Sequence, residues 1–261
     1  MPQLSLEIAD KIAIIRFSNP PLQVMTPATM NELNRMLPRL KEDDVRAIVF
    51  TGTDSTYFIR HFSVEELDAS ASGGETGTWE VSMLDLLYEM EHLPKPFITA
   101  LNGSAMGGGL EFALASDIRV VKDGPHRFGL PEVSVGILPG AGGTQRLTAI
   151  VGRGRALEMM LRPRLISPKE LYDYGIAQEL VPADSAETAL DRALVIAKEI
   201  AGRHALAVAH IKRLAREAVS PVTKDMLRLE GKLFGELMAT EETKALLRGV
   251  AQQHKEERTK A

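Results

Sequence analysis

Apolar and polar positions alternate at the start of the chain and predict strands there. Residues 4–8 alternate one by one, which is typical of a half-buried strand, and residues 11–18 form a second apolar run. Asn19-Pro20-Pro21 ends that run. Thr26-Pro27 then supplies a cap and a proline at the first helical position, so we expect a helix that continues to about Leu40.

The middle of the chain mixes strands, helices and glycine-rich turns. Buried strands are predicted at residues 45–53 and 96–103, and glycine-rich segments lead into helices within residues 106–117 and 136–147. A further helix is predicted from Trp79 to about His92, in which Trp79, Met83 and Leu87 form a core face or, as the alternative, a pocket wall. Strands that alternate with helices indicate an α/β fold.

After residue 150 the apolar positions recur at helical spacing. We therefore divide the chain into an α/β core at residues 1–195 and a helical region at residues 196–261. Amphipathic helices that follow a complete core must bury their apolar faces against it or between subunits, so an oligomer is expected. The charged last dozen residues are expected to be solvated. One apolar series in this region is formed by Met226, Leu229, Leu233 and Leu237.

Composition narrows the function classes. The net charge of −4 disfavours nucleic acid as a partner, because phosphate binding needs a basic surface. The chain has no cysteine, and its six histidines lack metal-binding spacing, so no metal is expected. We see neither a signal-peptide core nor an apolar run near the roughly 20 residues that span a bilayer, which predicts a cytoplasmic protein without membrane contact.

Two glutamates lie in contexts that suit acid–base chemistry. Glu111 is in the first turn of a predicted helix, and Glu132 directly follows Pro131. A helix that leaves a point and a strand that returns to it would bring both carboxyl groups together, as general acid–base catalysis requires. Apolar neighbours would raise the pKa of both. Taken singly, each glutamate has a structural explanation as a stabiliser or opener of its helix.

The glycine run before Glu111 suggests exposed backbone donors. Gly107, Gly108 and Gly109 leave N–H groups free to bind a phosphate or a carbonyl oxygen that becomes an oxyanion. The phosphate-loop motif fails because no Gly-Lys-Ser/Thr follows, and the dinucleotide motif fails in its spacing. Close packing is the alternative explanation for the run.

Residues 100–120 and 128–147 together resemble the enoyl-CoA hydratase/isomerase family, also called the crotonase superfamily. The match is in residue type, order and spacing, and weaker agreement covers nearly the whole chain, including residues 45–53 and 166–182. The resemblance implies a crotonase-type spiral of ββα units with a C-terminal helical trimerisation region. It also implies a homotrimer or hexamer that acts on an acyl-CoA substrate and needs no cofactor, since coenzyme A is part of the substrate.

The resemblance also implies roles for individual residues. The N–H groups of Phe62 and Gly108 would hold the thioester oxygen, Glu111 would activate water, and Glu132 would protonate the α-carbon. Isomerases of the family generally need only the acid that matches Glu132, so retention of both favours an enoyl-CoA hydratase, a lyase of fatty acid metabolism. The alternatives are double-bond isomerisation, retro-addition cleavage, thioester hydrolysis, or a non-catalytic subunit that binds acyl-CoA.

Two segments depart from the family pattern. Residues 59–63 read Ile-Arg-His-Phe-Ser where the family has small residues and an Asp. Arg60 and His61 would contact the phosphates of coenzyme A or would be solvated, and bulky Phe62 would crowd the acyl group. Residues 240–258 lack the family's Glu-Gly pair, its Phe and its following Arg, and His254 lies in this stretch. The usual contact of this helix with a neighbouring subunit's coenzyme A is therefore in doubt.

Overall fold

The computed structural model describes residues 2–218 and 223–260. Its strands, in chain order, are β1 Leu4–Ala9, β2 Ile12–Phe17, β3 Ala47–Gly52, β4 Tyr57–Ile59, β5 Phe97–Leu101, β6 Ser104–Met106, β7 Ile118–Lys122, β8 Phe128–Gly129 and β9 Glu179–Val181. Its α-helices are α1 Pro27–Leu40, α2 Val64–Ser72, α3 Met83–Glu91, α4 Gly108–Leu114, α5 Gly143–Val151, α6 Arg153–Leu161, α7 Pro168–Asp173, α8 Ala189–Ala201, α9 Ala205–Ala218, α10 Lys224–Met238 and α11 Glu241–Lys260. A 3₁₀ helix spans Glu132–Val135.

The strands form two sheets. The larger has the order β1-β2-β3-β5-β7-β9, with an antiparallel β1–β2 pair and parallel neighbours elsewhere. The smaller has the parallel order β4-β6-β8. Every residue of β3 is buried, as parallel strands covered on both faces require. The predicted α/β class is confirmed.

Helix α8 covers one face of the larger sheet. Its small residues Ala189, Ala193 and Ala197 pack in one cluster with Val49 and Ile98 of the sheet. The predicted boundary between residues 195 and 196 falls inside this helix, and the division into two parts stays a prediction. Met1, residues 219–222 and Ala261, which the predicted ranges include, lie outside the described residues.

The helix predicted from Trp79 begins later than expected. The Ser82 hydroxyl accepts a hydrogen bond from the Asp85 N–H at 3.1 Å, and this cap fixes the start of α3 at Met83. Met83 and Leu87 are buried as predicted. Trp79 precedes the helix and is 42% exposed, so its assignment to the core was wrong.

Several apolar side chains of the C-terminal helices are exposed in the single chain. Met226, Leu229 and Leu233 of α10 are exposed, and so is one apolar group on α9 formed by Leu206, Ile211 and Leu214. Helix α11 packs against α2 of the same chain and buries Ala251 and His254, but residues 252–253 and 255–260 are exposed, so the expectation of a solvated end is confirmed for most of it. Among the described helices, none combines the length and the apolar character that crossing a membrane requires.

Candidate active site

Glu111 is held by two backbone N–H groups. It lies in the first turn of α4, and its Oε1 atom accepts hydrogen bonds from the N–H of Ala141 at 2.7 Å and of Gly143 at 2.9 Å. A β-carbon on Gly143 would lie 2.8 Å from that oxygen, so only glycine allows this approach. The carboxylate is therefore fixed at one oxygen.

Glu132 reaches the same place through the smaller sheet. The Gly107 N–H donates to the Gly129 carbonyl at 3.0 Å, which joins the end of β6 to the end of β8 three residues before Glu132. Gly107 has a φ of 51°, and a β-carbon there would lie 3.3 Å from Oε1 of Glu132. Within residues 2–218 and 223–260, neither buried carboxyl oxygen of Glu132 has a hydrogen-bond partner.

Both glutamates line one cavity of about 440 Å³. Its wall is mostly apolar and is formed by residues of the 62–84 segment, the loop before α5, and α10. Apolar side chains in this wall include those of Phe62, Leu67, Trp79, Val81, Met83, Leu84, Ile137, Leu138 and Phe234. An apolar cavity with two convergent carboxyl groups has the general character of an enzyme active site.

The cavity raises the pKa of both acids. Burial raises the pKa of Glu111 to about 7, the nearby charge of Glu230 adds to that effect, and the N–H groups of Ala141 and Gly143 oppose it. Burial and the charge of Glu111 raise the pKa of Glu132 well above its ordinary value. Neighbouring buried carboxyl groups resist simultaneous ionisation. Because two N–H groups stabilise the charge of Glu111 and no donor of the described residues reaches the Glu132 carboxyl group, we expect Glu111 to ionise before Glu132.

The two predicted backbone donors lie next to each other. Met25 pairs with the Phe62 segment through the His61 carbonyl and the Ser63 N–H, which leaves the Phe62 N–H directed away from Met25. A β-carbon on Gly108 would lie 3.3 Å from the Phe62 nitrogen. In the described chain, neither the Phe62 nor the Gly108 N–H donates to a protein acceptor. Two adjacent free donors suit a developing oxyanion.

Arg60 and His61 contact the last helix. The Arg60 guanidinium forms a 2.7 Å ion pair with Glu257 of α11. The His61 ring stacks on His254 with centroids 5.0 Å apart, and burial lowers the pKa of His61 to about 4. The alternative that Arg60 and His61 are simply solvated is thus wrong, and their predicted contact with coenzyme A stays a prediction.

One site residue, Glu230, was not singled out by the sequence analysis, and for another, Trp79, a pocket wall was only the alternative to the core. Trp79 stacks on Phe62 with ring centroids 5.5 Å apart and forms part of the cavity wall. Glu230 of α10 is 4% exposed and contacts the loop that holds Glu111. A signal for Glu230 existed: Leu227, Glu230 and Met238 share the buried face of α10, so a carboxyl group interrupts an apolar face at helical spacing.

Comparison with known proteins agrees with this fold and identifies the family. The family model described as enoyl-CoA hydratase/isomerase matches residues 7–260. The chain belongs to the enoyl-CoA hydratase/isomerase family, and its fold is the crotonase-type α/β fold of that family.

Individual relatives are similar over most of their length. A Bacillus subtilis strain 168 protein named "Probable enoyl-CoA hydratase" is 31% identical over 94% of this chain and 93% of its own. The short-chain-enoyl-CoA hydratase of Clostridium acetobutylicum is 31% identical over 92% of this chain and 90% of its own. The crystal structure of carnitinyl-CoA hydratase from Mycobacterium avium superimposes with a TM-score of 0.84 at 27% identity and covers 97% of both chains.

Proposed function

We propose that this protein adds water to a 2-enoyl-CoA thioester and forms a 3-hydroxyacyl-CoA. The observation that carries the proposal is the pair of buried carboxyl groups, Glu111 and Glu132, in one apolar cavity. Glu111 accepts two N–H hydrogen bonds, whereas Glu132 accepts none from the described residues. Hydration needs one group that accepts a proton from water and one that delivers a proton to carbon. The hydratase names of two relatives at 31% identity point in the same direction.

In the proposed reaction, the ionised Glu111 accepts a proton as the water oxygen bonds to the β-carbon. The electron pair of the carbon–carbon double bond moves towards the thioester and forms an enolate. The N–H groups of Phe62 and Gly108 stabilise the negative oxygen of that enolate. Protonated Glu132 then delivers its proton to the α-carbon, so one water has been added and the two acids have exchanged charge states. Proton exchange with solvent restores the starting state.

The cavity wall supports an apolar acyl chain as the substrate group. The stacked rings of Phe62 and Trp79 lie beside the proposed oxyanion donors, where the acyl chain adjoins its thioester. Coenzyme A would approach along residues 60–62. Arg60 would then exchange its ion pair with Glu257 for a phosphate of the substrate.

The direct test mixes the protein with crotonyl-CoA and follows the absorbance of the conjugated double bond. We expect the absorbance to fall and mass spectrometry to find a product heavier by one water. Longer and aromatic enoyl-CoAs extend the test. A product of unchanged mass would identify an isomerase, free coenzyme A a thioester hydrolase, and a shortened acyl-CoA a cleavage enzyme. Binding without turnover of any of these would identify an acyl-CoA-binding subunit.

We also propose that the chain assembles as a homotrimer or as a hexamer of two trimers. The apolar side chains of Leu206, Ile211 and Leu214 on α9 are each more than half exposed and suit burial between subunits. Light scattering coupled to size-exclusion chromatography tests this. A monomer at micromolar concentration would contradict it.

A further inference from the structure

A third buried carboxyl group lies behind the two proposed catalytic ones. Glu230 projects from α10 and accepts hydrogen bonds from the Gly142 N–H and the Thr144 hydroxyl, and the Gln145 amide lies 3.5 Å from it. The hydration steps make no use of this residue. A buried acid is costly to keep, so its contacts call for an explanation.

The turn at residues 141–144 lies between two carboxyl groups. The N–H groups of Ala141 and Gly143 donate to Glu111, whereas the intervening Gly142 N–H and the Thr144 hydroxyl donate to Glu230. Donors from successive residues thus alternate between the two acids. A displacement of the turn on the Glu230 side would move the donors that fix Glu111.

We propose that Glu230 is a positioning residue: from α10 it holds the 141–144 turn so that the Ala141 and Gly143 N–H groups stay directed at Glu111, and it sets a second buried acid beside that carboxylate. The inference deepens the proposed hydration, but the contacts themselves do not depend on it. Groups around a reacting side chain commonly act in this way, by fixing its orientation and its proton affinity.

The charged groups around Glu111 predict the direction in which its pKa should change when Glu230 is replaced. The charged groups around it are Glu230, Glu132 and Arg146, and Arg146 is itself paired with Glu91 at 2.9 Å. The charge of Glu230 raises the pKa of Glu111 and that of Glu132, while Arg146 lowers the pKa of Glu111. Removal of the Glu230 charge should therefore lower the pKa of Glu111.

Two substitutions separate the effect of the Glu230 charge from the effect of its hydrogen bonds to the 141–144 turn. Glu230→Gln keeps an oxygen for the Gly142 N–H but removes the charge, so the acidic limb of the kcat profile should move down by about 1 pH unit with kcat at its plateau within about threefold of wild type. Glu230→Ala removes both, so kcat should fall about tenfold or more with little change in KM. Glu236→Gln, on the exposed side of the same helix, is the matched control and should leave the profile unchanged.

A titration of Glu111 needs no substrate, so it tests the role of Glu230 independently of the hydration assay. The ¹³C-carboxyl resonance of Glu111, assigned through a Glu111→Gln variant, is titrated in the wild type and in Glu230→Gln. A lower midpoint in the variant supports the proposal. An unchanged midpoint overturns it, as does a folded Glu230→Ala variant with wild-type kcat. If Glu230→Ala does not fold, Glu230→Gln decides. Failure to hydrate any enoyl-CoA would reject the proposed function and leave this titration valid.

Discussion

The cavity has an acid side, formed by Glu111 and Glu132, and a loop side, formed by residues 59–63. On the acid side, the segments that carry the two glutamates are joined by main-chain hydrogen bonds within the core, such as that from the Gly107 N–H to the Gly129 carbonyl. The loop side is also joined to the core by main-chain bonds, but its side chains Arg60 and His61 contact α11.

Apart from the Phe62 N–H, which we propose as an oxyanion donor, we expect this difference to separate chemistry from substrate recognition. The acid side depends on buried glycines that leave no space for a side chain, so it tolerates little change. The loop side depends on contacts with a C-terminal helix that is partly exposed, and its residues depart from the family pattern. We expect substitutions on the acid side to change kcat and substitutions on the loop side to change KM.

The largest effect should follow from Glu132→Gln. The amide cannot deliver the proton that the α-carbon needs, so we expect kcat to fall by at least about a hundredfold with the fold retained. Steady-state hydration of crotonyl-CoA measures the change. Glu89→Gln, which alters an exposed glutamate of α3, is the control and should keep wild-type activity. A Glu132→Gln variant with near-normal kcat would remove the proposed role of this residue.

The next largest effect should follow from Gly143→Ala. The added methyl group would lie 2.8 Å from Oε1 of Glu111 and 2.9 Å from the Pro139 β-carbon, so the carboxylate must move away from its donors. A displacement of about 1 Å in an active site can cost about a hundredfold, and we expect kcat to fall by about 10- to 100-fold. Gly154→Ala is the matched control, because a β-carbon there contacts nothing within 4 Å. Equal activities of the two variants would contradict the packing argument.

The acid side was the more predictable of the two from sequence. The buried strands at residues 45–53 and 96–103, the glycine-rich turns and the return of Glu132 towards Glu111 were predicted from local patterns that the structure reproduces. The order of the strands in the two sheets was not predicted. Residues that reach the site from distant helices were not predictable in the same way. Glu230 contacts Gly142 of the Glu111 loop across 88 positions, and although its place on the buried face of α10 is a local signal, no local pattern specifies which loop that face contacts. Met226, Leu229 and Leu233 of that helix are exposed in the single chain, and their burial between subunits stays a prediction.

The start of α3 is a second feature that the apolar pattern did not predict. Apolar periodicity predicted that Trp79 lies inside the helix. The Ser82 hydroxyl instead accepts a hydrogen bond from a free N–H group of the first turn, so the helix begins after Ser82. Trp79 therefore lies before the helix, where it stacks on Phe62 in the cavity wall. A choice between two helix starts is a matter of about 1 kcal/mol, which apolar spacing alone does not resolve.

The pH dependence of hydration should report the ionisation of Glu111 and Glu132. Glu111 must be ionised to accept a proton, and its pKa is raised to about 7, so kcat/KM should fall about tenfold for each pH unit below that value. Glu132 must be protonated, and its raised pKa should give a second decline on the alkaline side. A profile from pH 5 to 10 measures both limbs. An acidic limb near the ordinary pKa of an exposed glutamate would contradict the burial argument.

The smallest effect should follow from Glu257→Gln, and its direction tests the loop side. Loss of the ion pair should cost less than about 1 kcal/mol of stability, because Glu257 is half-exposed. If Arg60 binds a phosphate of coenzyme A, its release from Glu257 should lower KM about two- to threefold, whereas Arg60→Gln should raise KM. Glu256→Gln, which removes a neighbouring exposed charge of α11, is the matched control. A KM that is unchanged in both Glu257→Gln and Arg60→Gln would show that this contact only secures α11. Coenzyme A recognition would then have to lie elsewhere on the loop side.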